Sequence, residues 1–478
     1  MRDGLDRPAA ACLFPAFDGI TAPDWVLRWL ERGLGGLVLF AGNIESREQV
    51  AELTRALRAE RDELLVATDE EGGDVTRLEV RTGSSFPGNW ALGVIDDPSL
   101  TEEVAAAIAS ELAAVGINWS LAPVADVNAN PENPVIGIRA FGADASLVSR
   151  HVSAFAAGVQ RRCVAACAKH FPGHGDTAQD SHLELPLARG DVDQALEPFR
   201  AAIGVGVRSI MTAHVRVTRL AEAPATLSRE ILHGLLRDEL GFQGVAITDA
   251  LEMRAISATV GVEEGAVRAL AAGADGLCLG ARGDDKTVSR IHSAVLEGVR
   301  AGRLPEERLH EAAGRVAELA RWASRATPGS TDPELGLDAA RRALEIDGDV
   351  ALRRRAVVIE LRPAASIAAG EPQNSLAAVL GADEIRLTEP PADAPGLLAG
   401  RGAVQPVVVV RDAHRHQWER ATVDALLAAA PETIVVEVGV PLWRPDAAYL
   451  ATHGRGRVNL AAAAEQLLSR IQADECPA

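Results

Sequence analysis

Over its first two-thirds the chain alternates short apolar, β-branched runs with longer stretches whose apolar positions recur at helical spacing, the pattern of parallel βα units. Eight runs read as strands: 11–16, 36–40, 64–69, 117–124, 164–170, 208–214, 243–249 and 275–279. Between them Ser46, Ser99 and Ser228 each stand before a helical segment in the position of an N-cap. Eight such units in about 320 residues is the arithmetic of an α/β fold of the (β/α)8 TIM-like barrel type.

From Thr327 to Gly336 the sequence turns to proline, glycine and small polar residues. The organisation this predicts is a barrel over 1–326, a linker over 327–345 and a C-terminal α/β domain over 346–478. Strands at 356–361, 406–410 and 433–439 alternate with helices at 414–430 and 459–473, which predicts a smaller α/β sandwich with a doubly wound layer. Neither G-x-G-x-x-G nor G-x-x-x-x-G-K-[ST] occurs in it, so no dinucleotide or phosphate loop is expected.

Composition narrows the partners. A formal charge of −19 opposes binding to nucleic acid and leaves a small neutral substrate as the easier partner. No apolar run reaches the roughly 18 residues of a membrane span. Residues Met1 to Pro8 carry acids and a proline where a secretory signal has a basic patch and an apolar run, so cytoplasmic residence is the expectation. The five cysteines, Cys12, Cys163, Cys167, Cys278 and Cys476, show no C-x-x-C spacing and read as reduced thiols.

The polar residues then fall at one face. Asp69, Lys169, His170, His214 and Asp249 each stand at the carboxyl end of a proposed strand, the end at which barrel active sites are built. Lys169 is one of only two lysines, with Lys286. Residues 169–182 place three histidines and two aspartates in a glycine-bearing loop. Asp180 and His182 stand two apart, so in an extended segment a carboxylate can orient one imidazole nitrogen and raise the basicity of the other, as a general acid/base needs. A solvated loop of unrelated polar groups is the plainer reading. A zinc site drawn from His170, His174, His182, Asp176 and Asp180 is a third, without any compact zinc spacing. Asp249 is either a nucleophile at the barrel mouth or an N-cap for the next helix. Asp69, Glu70, Glu71 and Asp74 with Arg77 are either a grip on sugar hydroxyls or a turn with solvated acids. Arg139 either enters the site or pairs with a surface acid, while Trp119, Met211 and Cys278 read as barrel core.

These motifs resemble a family. K-H-F-P-G-H-G followed by D-S-H, D-x-E-G-G-x-V-x-R from Asp69 to Arg77, I-G-x-R-x-F-G at 136–142 and T-D-x-L-x-M at 248–253 are similar to the glycoside hydrolase family 3 β-N-acetylhexosaminidases of the bacterial peptidoglycan-recycling type. The resemblance runs across roughly residues 8–325, and longer members carry a second α/β domain. It implies Asp249 as nucleophile, His182 as acid/base and Asp180 as its orienting partner. It also implies Asp69, Arg77, Arg139, Lys169 and His170 as holders of the sugar hydroxyls, with His214 lining the same pocket. Glu70 and Asp74 depart from the residues common at their positions, which bears on the aglycone. The implied activity is retaining hydrolysis of a terminal non-reducing β-N-acetylglucosaminide, on a small carbohydrate such as a muropeptide or chitin fragment, with no metal or organic cofactor. Transfer to phosphate, a metal-dependent hydrolase and a non-catalytic sugar-binding barrel are the other readings.

Overall fold

A computed structural model of the chain describes residues 4–181, 183–281, 283–363 and 374–474. The chain divides into two compact units. The first comprises Met1–Glu71, Asp97–Ile136 and Gly142–Asp332; the second comprises Gly72–Asp96, Gly137–Phe141 and Pro333–Ala478. Two short segments from the first two-thirds of the chain therefore belong with the C-terminal third. Within 327–345, Leu335–Ala343 is helical and Glu345–Asp347 is a strand.

In the first unit the barrel strands are β1 (Leu13–Phe14), β2 (Gly36–Leu39), β3 (Leu65–Thr68), β4 (Trp119–Ser120), β5 (Ala165–Phe171), β6 (Ser209–Thr212), β7 (Val245–Thr248) and β8 (Leu277–Cys278), beside a separate parallel pair, Leu187–Ala188 with Arg216–Val217. Each falls on a run expected from the sequence, with most ladders shorter than the apolar run. At β4 one cause is Pro123, which has no N–H to continue the ladder. Strands β2 to β7 pair in chain order, all parallel. Strand β8 pairs with β1, and the ring is joined by a bridge from Ile247 to Gly276 and by the Val38 N–H donating to the Pro15 carbonyl at 3.0 Å. The barrel interior is filled by side chains: Phe14 meets Trp119 edge-on at 5.2 Å, with Met211 and Cys278 in the same cluster.

Two helix starts differ in detail from the sequence reading. Ser46 does cap Arg47–Glu60 by accepting from the Gln49 N–H. The helix Pro98–Ala114 is capped by Asp97, not Ser99, because Pro98 fits the first helical position and moves the start forward. Residues Glu230–Glu239 wind as a π-helix, into which Ser228 still accepts the Ile231 N–H at 3.2 Å.

In the second unit the strands are β9 (Glu345–Asp347), β10 (Ala356–Leu361), β11 (Asp383–Leu387), β12 (Gln405–Val410), β13 (Ile434–Glu437) and β14 (Ala448–Ala451). Their order is β9-β14-β13-β12-β10-β11, parallel except for β9 against β14. Strand alternation explains the sandwich: Val407 and Val409 pack towards the helix Arg457–Asp474, while Val408 and Val410 pack towards Gln417–Ala429. Asp74 is held inside this unit by the Arg411 guanidinium and by the Arg455 N–H at 2.6 Å. Among the described residues no helix is long and apolar enough to cross a membrane.

Candidate functional site

Strand β5 is apolar enough to be buried on both faces, and it carries Lys169 and His170 into that burial at its carboxyl end. Lys169 is 2% exposed, so its ammonium needs partners. Its Nζ lies 2.8 Å from Asp69 Oδ1 and 2.7 Å from Glu71 Oε1. Glu70 and Glu71 are both buried, which removes the turn of solvated acids as a reading of this stretch.

His170 is set by a residue that sequence reasoning missed. Asp126 is fully buried, and its Oδ2 accepts from the His170 N–H at 3.2 Å and lies 2.7 Å from His170 Nδ1. Its Oδ1 accepts the His174 N–H at 2.6 Å. The signal was a lone acid in the apolar context Ala122-Pro-Val-Ala-Asp-Val, two residues past the expected strand.

The loop after β5 is pinned from inside. His174 is buried, with Nδ1 2.7 Å from Thr177 Oγ1 and Nε2 3.0 Å from Ser181 Oγ. Burial, and then the neighbouring His170, hold its imidazole down to about 4 against the opposing pull of Asp126, so the ring is neutral. Asp180 lies in this loop and accepts the Leu183 and Glu184 N–H groups at its carbonyl, at 2.9 and 3.1 Å. His182 lies outside the described residues.

Asp249 follows β7, half-buried. Its N–H donates to the Thr212 carbonyl at 3.2 Å, and its Oδ1 accepts the Ala250 N–H at 2.7 Å. His214 is fully buried, Nδ1 lying 2.8 Å from Thr226 Oγ1 and Nε2 3.1 Å from the Ala250 carbonyl. Thr226 Oγ1 also donates to the Ala213 carbonyl at 2.9 Å and lies 2.8 Å from Thr212 Oγ1, so this one hydroxyl joins His214 to Thr212 and to the backbone. The run Thr212, Thr226, His214 thus ends on the backbone next to Asp249.

These groups share one electrostatic neighbourhood. The charges of Lys169, Asp69 and Asp249 all act on the Cys167 thiol, which burial pushes up to about 12, and Asp126, His170 and Asp249 all act on His174. Among the described residues no group of three or more His, Cys, Asp or Glu is arranged to hold a metal ion. Arg77 and Arg139 fall in the second unit, where the Arg139 carbonyl accepts from Asn89 Nδ2 at 2.7 Å.

Comparison with known proteins gives a concordant result. Residues 24–319 match the glycosyl hydrolase family 3 N terminal domain. The chain is 34% identical over 372 residues to beta-hexosaminidase A of Pseudoalteromonas piscicida, a match that covers 69% of this chain and 62% of that protein. It is 39% identical over 254 residues to a beta-hexosaminidase of Methylobacillus flagellatus, covering 51% of this chain and 72% of that one. Among solved structures it is similar to a glycoside hydrolase family 3 beta-N-acetylglucosaminidase from Paenibacillus sp., at 33% identity and a TM-score of 0.87, covering 98% of this chain and 97% of the other.

Proposed function

Because the chain belongs to glycosyl hydrolase family 3, we propose that it removes terminal non-reducing β-N-acetylglucosamine by double displacement, with Asp249 as nucleophile and His182 as acid/base oriented by Asp180. The observation that carries this reading is Asp249 at the mouth of β7, in one electrostatic neighbourhood with Asp69, Lys169, His170 and Asp126. The Ala250 N–H on Oδ1 orients the Asp249 carboxylate. The carboxylate attacks the anomeric carbon while protonated His182 gives its proton to the departing oxygen, and a glycosyl-enzyme forms. Neutral His182 then takes a proton from water, which releases the sugar with retained configuration. Imidazole has an ordinary pKa of about 6.5, so both forms are accessible near neutrality.

In this reading Asp69, Lys169 and His170 hold sugar hydroxyls by charge-assisted hydrogen bonds. Arg77 and Arg139 join them on the strength of their sequence motifs alone. His214, whose ring nitrogens face Thr226 and the Ala250 carbonyl, holds the backbone beside the nucleophile and is not itself a sugar ligand. Muropeptides or chitin fragments as substrates, and a cytoplasmic site of action, are the finer parts of the proposal.

The test is incubation with p-nitrophenyl N-acetylglucosaminide with and without phosphate, with products identified by phosphorus and proton NMR. Release of β-N-acetylglucosamine, unaffected by EDTA, is the expected result. A β-linked sugar 1-phosphate formed in proportion to phosphate would move the reaction to phosphorolysis. Loss of activity on metal removal would overturn the mechanism in favour of metal-assisted hydrolysis.

A further inference from the structure

We infer that Asp126 and His174 are positioning residues for the acid/base: through Ser181 they fix the loop from which Asp180 and His182 act on the leaving group. The inference rests on the reading of His182 as the acid/base. Asp126 is fully buried, and its two oxygens take three contacts from the end of β5 and the loop beyond: the His170 N–H, the His170 ring and the His174 N–H. One carboxylate therefore sets a proposed sugar-binding histidine and the first anchor of the loop together.

The second anchor is the His174 ring. A neutral imidazole satisfies every contact around it in one arrangement. Nδ1–H donates to Thr177 Oγ1 at 2.7 Å, the Thr177 hydroxyl donates to the His174 carbonyl at 3.0 Å, and the Ser181 hydroxyl donates to Nε2 at 3.0 Å. Asn133 Nδ2 also donates to the His174 carbonyl, at 2.8 Å. Just beyond His174 a Cβ on Gly175 would come within 1.8 Å of the Val127 carbonyl oxygen, so the loop there lies directly on the segment that follows β4. Ser181 is 2% exposed and stands in the chain between Asp180 and His182. Its bond to His174 ties Ser181 to the start of the loop. A general acid must stay within hydrogen-bond reach of the leaving oxygen, and a displacement of about 1 Å costs on the order of a hundredfold in rate.

The test compares Ser181→Ala and His174→Gln with His182→Ala in the full chain. Each is assayed on a β-N-acetylglucosaminyl disaccharide, whose leaving group needs a proton, and on the p-nitrophenyl glycoside, whose leaving group does not. Ser181→Ala is expected to lose about 10- to 100-fold in kcat/KM on the disaccharide and less than about threefold on the aryl glycoside, with an unchanged melting temperature. A purely structural role predicts equal losses on both substrates, and that result overturns the inference, as does no loss on either. Should one of the two variants fail to fold, the same criterion applies to the other. If His182→Ala is selective against the disaccharide and the folded variants are not, only the positioning inference falls. If His182→Ala is itself unselective, the acid/base reading falls first and takes the inference with it.

Discussion

At the amino ends of the barrel strands Asp275 is fully buried, and its carboxylate takes Arg237 Nη2 at 2.5 Å, the Ala246 N–H at 2.9 Å, Arg315 at 3.3 Å and the Arg308 guanidinium. At the carboxyl ends Lys169 is just as buried but lies between two carboxylates, Asp69 and Glu71, and the Asp69 side chain stays 18% exposed. Below, cations outnumber the acid and every oxygen of Asp275 is committed to protein donors from β7, the π-helix and the helix Glu306–Ala323. Above, the Asp69 carboxylate that meets Lys169 keeps an edge towards solvent. Buried ion pairs alone therefore do not mark a site. What separates the two ends is whether a charged group of the arrangement keeps an edge towards solvent.

The largest effect expected is on the chemistry at the carboxyl end. Asp249→Ala should lower kcat on the aryl glycoside by roughly 10⁴-fold or more while leaving the urea midpoint unchanged, since no other group can form the covalent intermediate. Turnover within tenfold of the parent, from a folded and pure preparation, would remove Asp249 as nucleophile. At the amino end the sign reverses. Asp275→Asn leaves three guanidinium groups short of a charge in a buried setting, and removing one partner of such a group costs about 3–5 kcal/mol. Urea unfolding should record that loss, and the fraction that remains folded should keep its ratio of activities on disaccharide and aryl glycoside. A changed ratio without lost stability would show that the two ends are not separable in this way.

Lys169→Met sharpens the contrast on a smaller scale. Without the ammonium, Asp69 and Glu71 each lose a charge partner, which makes their charged forms less favourable. We expect kcat/KM to fall about 10- to 100-fold, the worth of one or two hydrogen bonds to a charged group. Stability should fall less than in Asp275→Asn, because Asp69 can turn to water and Asp275 cannot. A stability loss equal to that of Asp275→Asn, with catalysis intact, would make Lys169 a structural residue.

The eight barrel strands were legible because parallel strands covered on both faces read as apolar runs, and the residues after those runs fall at one face by geometry. Lys169 and Asp249 were placed at strand ends that way. What stayed hidden depended on contacts between distant segments. Asp126 looked like one acid in a loop until its oxygens met His170 and His174. The contact of His214 with Thr226, twelve residues on, was equally hidden. The segments Gly72–Asp96 and Gly137–Phe141 read as barrel loops, and no local pattern tells that they belong with the C-terminal unit. Strand β11, Asp383–Leu387, was missed because its charged positions at the sheet edge mask the apolar alternation.

The smallest effect, and the one that extends the comparison to the second unit, concerns buried acids at the carboxyl end of its sheet. Burial, and then Asp412, push the Glu437 carboxyl up to about 8 against the N–H groups of Asp412, Ala413 and Gly439, which it accepts at 2.9, 3.2 and 2.6 Å. Glu419 is fully buried, accepts only the Arg411 N–H at 3.2 Å, and its Oε1 meets no partner among the described residues. Burial, and then the facing Glu437, push the Glu419 carboxyl up to about 9 from an ordinary 4.5. The native state therefore holds a proton that the unfolded chain releases above pH 4.5, so stability is fullest below that pH and falls as pH rises towards 9. His174 in the barrel runs the other way: its imidazole is held to about 4, so its contribution is present above pH 6.5 and is lost as pH falls towards 4. Glu419→Gln keeps the shape and removes the proton dependence. The urea midpoint of the variant should exceed that of the parent by a margin that widens steadily from pH 5.5 to pH 8.5. A constant margin across that range would mean that Glu419 is ionised in the folded protein, and that its charge is compensated by Arg411 as completely as that of Asp275 is by its three arginines.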